Sequence, residues 1–215
     1  MWNCLLTQAG SLLGAATAIA LSLTSPMAAE AQSAATPRPG LAQLPTQTQT
    51  TLKAGQVVVS GENGQYTGHV LVTAPVDVAW KVLTDYEHFK DFLPGVVASR
   101  ILSTAGNETV FEQVNSVRLL LFTQTSRLVI AATQQYPQQI KFHMQQGQIK
   151  SLNGIWQLEP VNTKQVLITQ KVQFDPGNAA PRGIAFNIYK NTLVDSLKAI
   201  KKETEKRADN PTQPL

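Results

Sequence analysis

Three histidines and a few acidic side chains are the residues of this chain whose chemistry would suit proton transfer or metal binding. His69, His88 and His143 form no HxxxH or HxH spacing. Histidines that bind one ion usually have such a spacing, because two ligands on one element must reach the same atom. We therefore expect no metal site. The sequence also shows no P-loop, GxGxxG or Ser-His-Asp pattern, so it predicts no cofactor and no catalytic residue.

Two residues remain as candidate proton carriers, and strand parity decides which side of a sheet each one faces. Glu112 shares a strand face with Val110 and Val114. If this face points into the protein, Glu112 is buried and its pKa is shifted. His69 lies opposite two valines but shares a face with a leucine. If the protein is an enzyme, Glu112 or His69 is the expected acid or base. His88 and His143 are expected in solvent.

Three further side chains are candidate polar contacts for a ligand. Gln170 is the one polar interruption in an apolar strand face, and a buried amide must hydrogen-bond either a neighbouring strand or a ligand. Arg118 and Arg127 flank the run LLLFTQTS. Each arginine would either meet the polar head of a ligand or lie on the convex face of a sheet.

Composition indicates one globular domain. The chain has 215 residues, of which 43% are hydrophobic and 15% charged, with a formal net charge of +4. The basic C-terminal run also contains Glu203 and Glu205, which indicates a solvated helix end. We therefore expect no nucleic-acid partner.

The first 31 residues resemble an export signal. An apolar run over 5–23 precedes the small-x-small pattern Ala29-Glu30-Ala31. Residues 1–31 are thus predicted to be a signal peptide, and the protein to be exported to the periplasm or an equivalent lumen. The segment before the apolar run has no Lys or Arg, so an uncleaved membrane anchor is the alternative.

Sequence composition also divides the remaining chain. Residues 32–52 contain three prolines and the run TQTQTT, which predicts a flexible linker. The folded domain is expected over 53–207, followed by a disordered tail over 208–215.

The order of predicted elements in this domain indicates an α+β fold. Asn63-Gly64 predicts a hairpin, and Pro75 with Asp77 predicts the start of a helix. A second short helix is expected over 86–92. Strands are then predicted over 97–103, 109–115, 122–134, 139–145, 148–159 and 165–174, and a helix over 182–207. Such a sheet curls around the last helix and leaves a cavity between them.

Two motifs resemble a known family. The stretch VTAPVDVAWKVLTDYEHFKDFLPGV resembles the opening motif of the START-like, polyketide cyclase/dehydrase (SRPBCC) superfamily. The stretch QIKFHMQQGQIKSLNGIWQLEP is similar to a later segment of that family, in particular of its coenzyme Q-binding branch. The matching motif positions look structural: Trp80, Asp85, Tyr86, Phe89, Pro94, Gly154 and Trp156.

This resemblance implies a helix-grip fold, in which a curved antiparallel sheet surrounds a long C-terminal helix and two short helices follow the first strands. It also implies a pocket for a hydrophobic ligand between the sheet and that helix. The opening motif is then expected to close one end of the pocket. The expected lining residues are Val70, Val72, Trp80, Phe142, Met144, Trp156, Ile168, Gln170 and Phe186.

The leading hypothesis is an exported, non-enzymatic carrier of a hydrophobic small molecule such as a lipid, quinone, isoprenoid or pigment. A cyclase- or dehydratase-type enzyme using the same pocket is the alternative, and an interaction module with a filled core is the third. The run VRLLLF over 117–122 has no turn residue. Either a strand continues through it, or it forms an apolar loop at the cavity mouth that touches a membrane transiently.

Overall fold

The computed structural model describes residues 40–119, 122–178 and 181–210, with the backbone alone at 117–119 and 122. The described residues belong to one compact unit. Its strands are β1 (Val58–Glu62), β2 (Gln65–Val72), β3 (Val96–Ala105), β4 (Glu108–Leu119), β5 (Phe122–Gln135), β6 (Gln139–Gly147), β7 (Ser151–Asn162) and β8 (Gln165–Asp175). Its helices are α1 (Thr46–Lys53), α2 (Val76–Thr84), α3 (Phe89–Phe92) and α4 (Arg182–Asp209), with single 3₁₀ turns at Leu41–Gln43 and Tyr86–His88.

The strands form one antiparallel sheet in the order β1-β2-β8-β7-β6-β5-β4-β3. The sheet curves around α4, and α2 and α3 follow the β1–β2 hairpin. The predicted helix-grip fold is therefore confirmed. The two-residue turn at Asn63 and Gly64 has positive φ angles of 54° and 85°, as a tight hairpin between twisted strands requires.

The inner face of the sheet is closed directly by α4 at its β2–β8 side. Val70, Val72 and Ile168 are completely buried there, beneath the apolar stripe of α4. Gly68 lies on the same face, where an added Cβ would come within 2.5 Å of Leu197 Cδ1. The missing side chain at Gly68 therefore lets the helix approach this part of the sheet closely.

A small second core lies on the outer face of the sheet. Leu52 of α1 is 1% exposed and packs with Leu71 and Leu167. The prediction of a flexible linker is therefore wrong for the part of 32–52 that the structure describes. The reason is that three leucines of this segment pack into the second core: Leu41, Leu44 and Leu52. Residues 32–39, like the predicted signal peptide, lie outside the described residues.

Two smaller expectations concern the ends of elements. The last helix continues two residues beyond its predicted end, to Asp209, so the predicted tail over 208–215 begins within α4. The described part of the run VRLLLF is strand, because Leu119 at the end of β4 pairs with Phe122 at the start of β5. Leu120 and Leu121 lie outside the described residues.

Among the helices that the structure describes, none is long and apolar enough to cross a membrane.

Candidate functional site

A cavity of about 180 Å³ lies between α4 and the β4–β8 part of the sheet. Its wall is largely apolar and contains six aromatic side chains. The lining residues come from every layer around it: Leu83, Tyr86, Phe89, Leu93, Phe111, Gln113, Asn115, Leu128, Ile130, Ala132, Ile140, Phe142, Leu152, Trp156, Gln170, Tyr189, Thr192, Leu193, Ser196 and Ile200. An apolar cavity of about 150 Å³ is large enough for benzene. Pockets for drug-sized ligands are larger, at about 300–1,000 Å³.

The segment from α2 to α3 closes one end of this cavity, as the opening motif predicted. The ring of Tyr86 stacks on Phe111 with centroids 4.3 Å apart and an interplanar angle of 16°. Phe89 meets both rings edge-on. Burial raises the pKa of the Tyr86 hydroxyl, which accepts a hydrogen bond from Gln134 Nε2 over 3.4 Å. This hydroxyl therefore stays protonated at neutral pH.

The sheet side of the cavity contains Phe142, which lies over Gly154 of the neighbouring strand. An added Cβ at Gly154 would come within 2.4 Å of Phe142 Cζ and within 2.6 Å of the Lys171 carbonyl oxygen. A side chain at position 154 would displace the phenylalanine ring. The glycine of the second motif therefore helps to set the shape of the cavity.

Helix α4 supplies the opposite wall. Tyr189 stacks on Phe174 with centroids 4.3 Å apart and planes 9° apart. Burial, and then the neighbouring Tyr66, raises the pKa of the Tyr189 hydroxyl. Further along the helix, Leu193 and Ile200 face the cavity as well.

The polar groups of the wall differ in whether they have partners. Gln113 Nε2 donates to Asn115 Oδ1 over 2.7 Å, and Thr192 Oγ1 donates to the Ile188 carbonyl oxygen over 2.9 Å. Gln170 is 7% exposed, and its Oε1 is buried without a hydrogen-bond partner among the described residues.

Three of the nine predicted lining residues reach the cavity: Phe142, Trp156 and Gln170. The other six do not. Val70, Val72 and Ile168 lie in the filled core below α4, because the close approach at Gly68 leaves no space there. The cavity is therefore displaced from the middle of the sheet towards β4 and β5.

The remaining three predicted lining residues pack elsewhere. Trp80 is 7% exposed and meets the ring of Tyr136 edge-on, with centroids 5.3 Å apart. Phe186 packs on Phe174 at the first turns of α4. Met144 is half-buried at the edge of the core, outside the cavity wall.

Glu112 is not a cavity acid. Its strand neighbours Phe111 and Gln113 line the cavity, so the Glu112 side chain lies on the outer face. Arg100 Nε donates to Glu112 Oε1 over 3.0 Å, and Arg127 donates to Oε2. These bonds, first from Arg100 and then from Arg127, hold the pKa of Glu112 below its ordinary value. The predicted roles of Glu112 as proton carrier and of Arg127 as ligand contact are therefore corrected: the two form a structural ion pair.

His69 is also on the outer face. Its Nδ1 lies 3.0 Å from Thr169 Oγ1, and burial and then Lys171 lower its pKa. It cannot reach the cavity, so the predicted role of His69 as acid, base or polar contact of the pocket is wrong. His88 is only partly exposed, with Nδ1 2.6 Å from Asp85 Oδ1, whereas His143 is exposed as predicted. The side chain of Arg118 lies outside the described residues.

The sequence interpretation missed three lining residues of β4, although their alternation along the strand is visible in the sequence. Phe111, Gln113 and Asn115 alternate along β4 and share the inner face, but the valines of the other face are apolar as well. Periodicity alone could not assign the inner face of this strand.

Within the described residues, no group of three or more His, Cys, Asp or Glu side chains could hold a metal ion.

Comparison with known proteins places these features in one family. A family model described as polyketide cyclase/dehydrase and lipid transport matches residues 72–201. No curated protein sequence is similar enough to this chain to count as a match.

Solved structures share the fold at low sequence identity. A STAR-related lipid transfer protein from Xanthomonas axonopodis is 22% identical, with a TM-score of 0.56 over 69% of this chain and 92% of that one. The Zhui aromatase/cyclase from Streptomyces sp. R1128 is 16% identical, with a TM-score of 0.56 over 74% of this chain and 100% of that one. A START superfamily protein from Mycobacterium smegmatis is 17% identical, with a TM-score of 0.54 over 74% and 100%.

Proposed function

Because the chain belongs to the polyketide cyclase/dehydrase and lipid transport family, we propose that it binds and carries a hydrophobic small molecule in the cavity under α4. The observation that carries this proposal is the cavity itself, about 180 Å³ in volume and walled by six aromatic side chains. Removing apolar ligand surface from water favours binding by about 25 cal/mol per Å², without any catalytic group.

The size of the cavity defines the part of the ligand that fits. One substituted ring, or an isoprenoid of similar volume, fits the space as it stands. A longer tail would leave past Thr192, which lines the cavity on α4 and is itself exposed. The nearer resemblance to the coenzyme Q-binding branch stays a prediction, and a quinone-type head group is one ligand of suitable size.

The direct test is native mass spectrometry and solvent extraction of the full chain, purified from the cells that produce it. We expect one bound small molecule per chain. Thr192→Trp places a large ring at the cavity wall and should remove that molecule. The matched control, Asn191→Trp, changes the adjacent exposed residue and should retain it. A wild-type chain that carries nothing and binds no apolar probe would refute the proposal.

The alternative function is a cyclase- or dehydratase-type enzyme, since the description of the family covers both activities. Among the residues that line the cavity, the ionisable ones are Tyr86 and Tyr189. Proton transfer would thus fall to a tyrosine, because Glu112 and His69 are on the outer face. Incubation of the extracted molecule with fresh protein separates the two: recovery unchanged supports carriage, and conversion to a dehydrated or cyclised product supports catalysis.

We propose in addition that the protein is exported, on the strength of the sequence of residues 1–31. N-terminal sequencing should give a mature chain that begins at Gln32. An intact Met1 in a membrane fraction would support the uncleaved anchor instead.

Delivery of a lipid-like ligand would be helped by transient contact of residues 117–122 with a bilayer, because this run is mostly apolar in sequence. Flotation with liposomes tests this contact. Leu120→Asp should reduce flotation if the contact exists and leave it unchanged if it does not.

A further inference from the structure

Gln170 is a buried amide that β8 presents to the cavity. Its neighbours across the sheet are Gly68 on β2 and Trp156 on β7. Glycine has no side chain, and no group among the described residues donates a hydrogen bond to Gln170 Oε1. The side chain of Gln170 thus lines the cavity, with a glycine and an aromatic residue as its strand neighbours.

An oxygen of this kind costs free energy when nothing donates a hydrogen bond to it. A buried acceptor without a donor is destabilising by about 1–3 kcal/mol relative to a hydrogen-bonded one. By contrast, the wall amides of Gln113 and Asn115 hydrogen-bond to each other. A leucine would fill position 170 without that cost, so an amide here favours a ligand that supplies a donor.

Resting on the proposed function, we infer that the buried end of the ligand is a single ring that bears a hydroxyl group, which donates a hydrogen bond to Gln170 Oε1. The volume limits that end to about one ring, and the unpaired oxygen requires a donor. A phenol, hydroquinone or ring alcohol meets both conditions. A ligand that offers only carbonyl oxygens, such as a fully oxidised quinone, does not satisfy Oε1.

Three ring probes of nearly equal size test this. p-Cresol has a hydroxyl donor, 4-fluorotoluene replaces it with fluorine, and 4-methylbenzaldehyde has an acceptor alone. Dissociation constants are measured with the full chain by calorimetry or ligand-observed NMR. We expect p-cresol to bind about tenfold more tightly than either other probe, which corresponds to about 1.4 kcal/mol.

Gln170→Leu should abolish the preference for p-cresol, so that the ratio of the dissociation constants falls to one or reverses. Its thermal midpoint confirms that the variant folds. The matched control, Gln173→Leu, makes the same change on the same strand at an exposed outer position and should keep the tenfold ratio.

The outcomes separate this inference from the proposed function. If all three probes bind wild type equally, or if 4-methylbenzaldehyde binds best, the inference is overturned while the cavity remains a ligand site. If no probe binds wild type, the inference is overturned; if the purified chain also carries no small molecule, the proposed function fails with it.

Discussion

Arg207 Nη1 donates a hydrogen bond to Asp85 Oδ2 over 2.8 Å and thereby joins the last turns of α4 to the segment that closes the cavity. The same guanidinium also donates to Glu203 over 2.8 Å and lies over the ring of Phe92. Asp85 is in addition paired with His88. This aspartate of the opening motif therefore ties the segment after α2 electrostatically to the last turns of α4.

Loss of this tie should destabilise the fold. The side chains of Arg207 and Asp85 are 19% and 14% exposed, so Arg207→Ala leaves a carboxylate in a partly buried site. We expect the free energy of unfolding to fall by about 2 kcal/mol, measured by urea denaturation. The control Lys206→Ala removes an exposed neighbour with a longer contact to Glu203 and should cost less than about 0.5 kcal/mol. Equal effects of the two changes would contradict the tie.

Gly154→Ala should damage both stability and the cavity. The added methyl group meets Phe142 and a backbone oxygen, so we expect a loss of about 1–3 kcal/mol and a displaced Phe142 ring. Chemical denaturation measures the first effect and probe binding the second. Gly183→Ala is the matched control: nothing lies within 4 Å of its added Cβ on α4, so stability should stay equal or increase by up to about 1 kcal/mol. If Gly154→Ala is as stable as wild type, the packing argument is refuted.

Glu112 should contribute stability that depends on pH. Its pKa is lowered in the folded protein, so the unfolded chain binds the proton more readily. The contribution is therefore present at neutral pH and is lost as the pH falls below 4.5, the ordinary value of the group, towards the lowered pKa. Wild type should exceed Glu112→Gln in stability at pH 7 and approach it in acid, as measured by unfolding at several pH values.

A control must show that the loss of one carboxylate charge does not by itself cause this pH dependence of stability. Glu62→Gln alters an exposed carboxylate of β1 and should show no comparable dependence. Glu112→Gln should also leave probe binding unchanged, because the residue lies on the outer face. A binding defect in this variant would place Glu112 in the site after all.

The N-terminal helix α1 should be an integral part of the domain. Leu52→Ala removes a side chain that is 1% exposed in the outer core, and we expect a loss of about 2 kcal/mol. Gln47→Ala, on the exposed side of the same helix, should be near neutral. Probe binding should be unaffected in both variants. If a chain that begins at Gln56 is as stable as one that begins at Gly40, the helix contributes nothing.

Much of the fold was predictable from the sequence, and for identifiable reasons. Asn63-Gly64 specifies a turn chemically, and the stripe of Leu193, Leu197 and Ile200 appears in a helical period. These signals are local. They predicted the order of the elements and the packing of α4 on the sheet, whereas the closing role of the opening motif was implied by the family resemblance.

The site was less predictable because it depends on distances between elements. Whether Val70 faces a ligand or a helix depends on the distance between Gly68 and α4. The spacing of apolar residues in the sequence does not indicate that distance. The linker prediction failed for a related reason: composition describes a segment alone, and Leu52 gains its apolar environment from Leu71 and Leu167 on distant strands.

The contact between Leu197 and the bare backbone at Gly68 separates the hollow from the rest of the interior. Gln170 is the strand neighbour of Gly68, so this barrier stands just beyond the amide. A shorter side chain at position 197 would extend the chamber towards the first hairpin, and a bulkier one at position 68 would push the helix outward. The length of the hollow can therefore change through two interior positions, without any change in the order of strands and helices.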